Sequence, residues 1–192
     1  KMQSLSGPLW HFSGIREPTG WTTDYTGAGF VDLSTQTSGA EQLMAIERYQ
    51  QQLAIFAETN IQIWFSDPDP ALNTIVQILN NTGTSAPQSV TQFGDSDIFY
   101  LNESGIRSLR ARDASNAAAT SDIGVPIDSI VTAHLNLLSP SERQRIIGLI
   151  EPRDGRFWMI VGDTVYVLSY FRAERTVSAW SIYKLPGEAS AA

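Results

Sequence analysis

The sequence predicts an all-β, antiparallel fold on three observations. Short runs of aromatic and β-branched residues recur along the chain, clusters of Gly, Asn, Asp, Ser and Pro bound them, and three of the runs share one plan. Gln52 to Phe65 reads QLAIFAETNIQIWF, Asp97 to Arg110 reads DIFYLNESGIRSLR, and Arg156 to Ser169 reads RFWMIVGDTVYVLS. Each is an apolar strand, a polar turn and an alternating strand, the pattern of a β-hairpin. The turns, Glu58-Thr59-Asn60, Glu103-Ser104-Gly105 and Gly162-Asp163-Thr164, each offer Gly or Asn for the positive φ that a tight hairpin uses.

With Leu53, Ile98 and Phe157 as equivalent positions, the spacings are 45 and 59 residues. The first matches the ~40 to 50 residues of a four-stranded propeller blade, so the repeats are read as β-propeller-like blades. The second spacing contains an insertion. The resulting units span approximately residues 1–40, 41–82, 83–113 and 145–186, with the insertion at 114–144. A fainter copy opens the chain, because Phe12-Ser13 after Trp10 resembles Phe65-Ser66 after Trp64, and each is followed by a Pro-containing loop. A chain of 192 residues, 42% of them hydrophobic, can bury a core, and the expectation is a single β-rich domain.

Helix signals concentrate around residues 127–147, after the Ala-rich stretch Ala114 to Thr120. Ser139-Pro140-Ser141-Glu142 places a capping residue, proline at the first helical position and Glu at the third, which predicts a short helix through Ile146 or Ile147. Ile127 to Leu138 is a second candidate, with Ile130, Val131, His134 and Leu138 on one stripe. Asn80 to Pro87 and Trp21 to Gly29 carry turn chemistry and read as loops.

Composition excludes several kinds of chemistry. Twenty acidic against 13 basic residues give a formal charge of −7, which works against gripping the outside of a duplex. Without cysteine there is no disulfide, thiolate zinc site or cysteine nucleophile. The longest apolar runs, such as Arg156 to Val161, fall far short of the ~20 residues of a membrane helix, and a soluble chain is expected. It starts at Lys1 and ends in Gly187 to Ala192, GEASAA, which fits a piece of a longer protein.

The two histidines, His11 and His134, lie in no spacing that gathers a second metal ligand, and each reads as structural. No G-x-S-x-G elbow is present, and Gly27-Ala28-Gly29 leads into FVDLS with no Lys, which makes it a turn into a strand and not a phosphate cradle. The carboxylates Asp67, Asp69, Asp95, Asp97, Glu103 and Asp163 are the candidates for a glycosidase pair. They fall in turns or at strand ends, where Asp bonds nearby backbone. Asp67-Pro68-Asp69-Pro70 reads as a rigid turn and not a calcium loop. No catalytic, cofactor-binding or metal-binding residue is assigned, and no cofactor is expected. Of the five tryptophans, Trp64, Trp158 and Trp180 lie within predicted strands and are expected in a core or subunit interface, while Trp21, between Gly20 and Thr22, is expected to be exposed.

WHFSGIREPTGW (Trp10 to Trp21), GAGFVDLS (Gly27 to Ser34) and ERYQQQLAIFAETNIQIW (Glu47 to Trp64), in that order, resemble successive signatures of the nozzle, or tail tubular, proteins of short-tailed bacteriophages. NNTGTSAPQSVTQFGDSDIFYLNESGIRSLRARD (Asn80 to Asp113) is similar to the segment that follows in such proteins, and RTVSAWSIY (Arg175 to Tyr183) to a strand that closes one of their repeats. The resemblance covers most of the chain. It implies a structural virion protein of the phage tail, assembled in the host bacterial cytoplasm, with about six copies in a ring against a tail adaptor. It also implies transient passage of DNA during genome ejection, without sequence-specific binding. Such proteins run to several hundred residues, so the chain is expected to be a fragment of the propeller-like region. The alternatives from the residues themselves are a carbohydrate-binding propeller or adhesin module, and a glycosidase on the same scaffold.

Overall fold

A computed structural model describes residues 1–36, 41–115, 122–172 and 176–186. Most of the Ala-rich stretch, Arg175 and the C-terminal Gly187 to Ala192 lie outside the described residues. The chain, expected from sequence to be one domain, clusters its contacts into two compact units, Lys1–Thr84 and Ser85–Ala192. The described residues form four antiparallel sheets, one within each of the four ranges read from the repeat. In the first unit, β1 (Gln3–Ser6), β2 (Leu9–Phe12) and β3 (Gly29–Asp32) make one sheet, and β4 (Leu43–Tyr49), β5 (Gln52–Ala57), β6 (Asn60–Phe65) and β7 (Thr74–Asn80) the next. In the second unit, β8 (Thr91–Phe93), β9 (Asp97–Asn102) and β10 (Gly105–Ser108) form the third sheet. The fourth holds β11 (Ile147–Glu151), β12 (Arg156–Val161), β13 (Thr164–Arg172) and β14 (Thr176–Lys184). Every sheet is a meander in chain order, as short antiparallel strands joined by tight turns require. No helix of the described residues is long and apolar enough to cross a membrane.

The three repeated hairpins are β5–β6, β9–β10 and β12–β13. In each, a six-residue strand is followed by two turn residues, and the second strand starts at the same offset. The turn chemistry differs from the sequence expectation at one site. Gly105 and Gly162 take positive φ, +128° and +59°, but Asn60 does not. The non-glycine strain sits instead between β4 and β5, where Tyr49 pairs with Gln52 and the two loop residues Gln50 and Gln51 have φ of 54° and 79°. Two consecutive positive φ values match the right-handed twist of a hairpin, and glutamine adopts them against its preference because the paired strands impose them.

Period-two alternation gives each hairpin two faces. One carries Leu53, Ile55, Ala57 and Trp64 in the second sheet and Phe157, Met159, Val161, Tyr166 and Leu168 in the fourth. The other carries Ala54, Phe56, Ile61 and Ile63 in the second sheet, Phe99, Leu101 and Ile106 in the third, and Trp158, Ile160, Val165 and Val167 in the fourth. For brevity these are the leading and trailing faces. In the first unit the leading face of the second sheet packs on Trp10, Phe12 and Leu33, with the Trp10 and Trp64 rings 5.7 Å apart. In the second unit the leading face of the fourth sheet packs on the trailing face of the third, with Phe99 edge-on to Phe157 at 5.1 Å. The stacking therefore has the same sense in both units. β5, β6, β9 and β10 are buried on both faces, which is why their sequences run nearly continuously apolar.

The third sheet has three strands where the second and fourth have four, and helices follow β10 directly. α1 (Leu109–Ser115) begins within the segment read from sequence as the end of a strand. Ser108 caps it by accepting from Ala111 N, and that serine ahead of Leu-Arg-Ala is the signal that marks its start. α2 (Asp128–Leu135) and α3 (Pro140–Arg143) occupy the predicted helical region. The capping box of α3 forms, Ser139 accepting from Glu142 N while the Glu142 carboxylate accepts from Ser139 N. α3 is shorter than expected: it stops at Arg143 and Ile147 already starts β11, because a β-branched pair pairs better along β12 than it prolongs a helix. On α2 the buried stripe is Ile127, Val131 and Leu135; Ile130 is 49% exposed, so the stripe expected through Ile130 and Leu138 is rotated by one residue.

Trp64 is 4% exposed, whereas Trp158 and Trp180 are half-buried, as is Trp21. Trp64→Ala is expected to cost ~3 to 5 kcal/mol in urea denaturation and Trp158→Ala clearly less in the monomer. Equal losses would show that Trp158 is covered in solution.

Candidate functional site

The carboxylates weighed as a catalytic pair are engaged one by one in local structure. The Asp67 carboxylate accepts from Asp69 N at 2.8 Å, and that of Asp69 accepts from Ala71 N at 3.0 Å, capping a single 3-10 turn. Asp67-Pro68-Asp69-Pro70 is thus a capped turn. Asp95 is exposed in the β8–β9 turn. Glu103 pairs with Arg143 at 3.1 Å and Asp163 with Lys184 at 3.3 Å, both at the surface. Bonds from the Thr164 hydroxyl and from Lys184 hold Asp163 below the usual carboxylate range. Among the described residues no three His, Asp or Glu side chains gather where they could hold a metal ion. His11 lies against Phe30, ring centroids 5.7 Å apart, and His134 Nδ1 is 3.0 Å from the Tyr166 hydroxyl.

One charged cluster is buried, and it stands where a fourth strand of the third sheet would be. The backbone N–H of Ser108 on β10 donates to Asp122 Oδ1 at 2.9 Å, so a side-chain carboxylate supplies the acceptor that a neighbouring strand would have offered. Gly124 makes the approach possible: a Cβ there would lie 2.1 Å from the Ile106 carbonyl oxygen. Asp122 faces the Arg107 and Arg112 Nε atoms at 3.9 and 3.7 Å, and Arg107 forks onto Asp128 at 2.7 and 2.9 Å. Asp97 completes the cluster, accepting from Ser108 Oγ at 2.7 Å and from Ile98 N and Arg110 N. Burial is the largest influence on both Asp97 and Asp122 and raises each above the ordinary carboxylate range, while their hydrogen bonds pull the other way. The Tyr170 hydroxyl is pushed up to about 12, by burial first and then by the charge of Asp97. Trp180 Nε1 ties the segment to the fourth sheet by donating to the Ile123 carbonyl at 2.8 Å. Sequence reasoning weighed Asp97 as a catalytic acid and passed over Asp122 and Arg107, whose roles depend on a fold that brings residues 14 and more apart together.

The other distinctive surface is the trailing face of the fourth sheet. A cleft of about 530 Å³ opens there, floored by Val165 and Val167, walled by Trp158 and Tyr183, and edged by Arg156 and Lys184. Arg156 pairs with Asp154 at 3.0 Å. Among the described residues Ser169, Ser181 and Leu185 also line it. The arrangement suits binding of an apolar or aromatic surface.

Comparison with known protein families and with curated proteins finds no match to this chain.

Removing the buried acceptor should be costly. Asp122→Ala takes the side-chain acceptor from the Ser108 and Ile123 N–H groups and removes the carboxylate that faces Arg107 and Arg112, and is expected to lose ~2 to 4 kcal/mol, with Asp122→Asn milder, as read from chemical denaturation. Asp97 gives a pH signature. Its folded form holds a proton above the unfolded value near 3.8, so its contribution is greatest below that value and is lost as pH rises through the raised folded value. Asp97→Asn cannot titrate but can still accept from the backbone, so its stability relative to the native protein should rise across that window. A difference that stays flat as pH rises above 3.8 would contradict the burial of Asp97.

Proposed function

We propose that this chain is part of a structural virion protein, the nozzle of a short-tailed phage tail, built of β-propeller-like blades and acting by assembly and genome conduction and not by catalysis. The observation that carries the reading is the constant sense of sheet stacking, a leading face against the sheet that precedes it in the chain, in two units whose hairpins share one register. Repetition of one such contact is how blades and rings are built, because short strands with two apolar faces need a neighbour on each side. The co-linear motifs from Trp10 to Asp113 and the segment Arg175 to Tyr183 supply the specific family. The formal charge of −7 favours a wall past which DNA slides, since like charge keeps phosphates from settling into binding wells.

In this reading the partners are further copies in a ring, a tail adaptor and other tail proteins; DNA passes without sequence-specific contact, no cofactor takes part, and the protein resides in the virion. A second reading, a carbohydrate-binding propeller or adhesin, draws support from the cleft between Trp158 and Tyr183, since aromatic walls stack on sugar rings.

Light scattering across a concentration series separates the readings. Growth toward a ring of about six copies is the expected result. A monomer at every concentration, together with tryptophan fluorescence that responds to oligosaccharides, would favour the binding module.

A further inference from the structure

The hairpin positions that form the trailing face are buried throughout in two of the three repeats, whereas in the last Val165 and Val167 are buried but Trp158 and Ile160 are partly exposed. Ala54, Phe56, Ile61 and Ile63 are at most 1% exposed, and Phe99, Leu101 and Ile106 at most 4%. In the fourth sheet Trp158 and Ile160 are half-exposed, and on flanking strands of the same face Ile147 is 41% and Tyr183 57% exposed. This face has the composition of a covered one. The contact already present on the other side of the fourth sheet specifies what covers it: a trailing face receives the leading face of a sheet, as Phe99 and Leu101 receive Phe157 and Met159.

The first sheet has one such face left. It packs on the second sheet through Trp10 and Phe12, as a trailing face does, so its outer side, with His11, Phe30 and Asp32, stands where a leading face would be. That side is mostly polar, with Ser4, Ser6 and Asp32 exposed, but Phe30, on the edge strand β3, stands out at 58% exposure beside His11. Asp32 lies two residues on, on the same face. The two surfaces match in one exposed ring against an apolar cleft about 530 Å³ in volume, and Asp32 would meet a rim where Arg156 and Lys184 already pair with Asp154 and Asp163.

We propose that the trailing face of the fourth sheet is a docking site for the first sheet of a second copy of this chain, with Phe30 seated between Trp158 and Tyr183 and Asp32 against the Arg156 and Lys184 rim. The contact is heterologous: each copy keeps one free cleft and one free Phe30, so association continues until the rotation closes a ring or extends a filament. It rests on the assembly reading above only in taking the partner to be another copy.

The test uses two blocked variants of the whole chain. Phe30→Glu disables the inserting face and Tyr183→Glu the cleft, both at exposed positions. Sedimentation is run on the native protein, each variant alone, and an equimolar mixture. The native protein should gain mass with concentration, each variant alone should remain monomeric, and the mixture should stop at a dimer, joined through the one intact cleft and the one intact Phe30. Asp32→Lys provides a second blocked face that leaves the aromatics untouched and should behave as Phe30→Glu does. Variants that assemble as the native protein does would overturn the docking site while leaving ring assembly in place. Loss of association in Tyr183→Glu alone would mean that the cleft faces its own copy across a two-fold axis, and a monomeric mixture would exclude head-to-tail contact; either sinks the proposal. A native protein monomeric throughout would end both the docking site and the ring.

Discussion

Strands of about six residues with apolar side chains on both faces impose the constraint from which the rest of this structure follows. Such a strand cannot satisfy itself within one sheet, because pairing settles the backbone and leaves two apolar surfaces in water. β5 and β9 show the consequence most plainly: Ala54, Ile55, Phe56 and Ala57 are buried in succession, and so are Ile98, Phe99, Tyr100 and Leu101. Stacking is then obligatory, and its sense is inherited from the hairpin. Since the same offset separates strand, turn and strand in all three repeats, equivalent residues point the same way, and within the second unit the trailing face of the third sheet meets the leading face of the fourth.

The third sheet shows how the plan tolerates a departure. Where a fourth strand would complete β10, the chain turns into helices and leaves an edge that needs acceptors. A carboxylate, Asp122, fills that role, at the cost of burying charge. Arg107, Arg112 and Asp128 offset that cost, and Ser108 does double duty, receiving cover for its N–H while its hydroxyl caps α1 and reaches Asp97. The two carboxylates that burial raises, Asp97 and Asp122, are thus engaged by backbone and hydroxyl donors at this edge.

Function in such a molecule resides in surfaces. The exposed carboxylates are spent on caps, turns and ion pairs, the histidines on contacts with aromatic neighbours, and the distinctive surface left is an apolar sheet face edged by two cations. In the assembly reading proposed above, that face, made of alternate residues of β12, β13 and β14, is the contact surface.

Local rules made much of this legible in the sequence. The hairpins, their register, the four sheet ranges and the capping box of α3 depend on side-chain alternation and on groups within a few residues, which the order of amino acids determines by itself. The start of α1, the rotated stripe of α2, the strain at Gln50 and Gln51, and the partial exposure of Trp158 and Trp180 were decided by tertiary structure. In each case a distant group chose between local options: Asp97 and Asp122 ended a strand that propensity would have prolonged, and paired strands forced a turn that glutamine disfavours. Which of two equally apolar faces is covered cannot be read from either face alone, because burial belongs to the pair of surfaces and not to the residues of one.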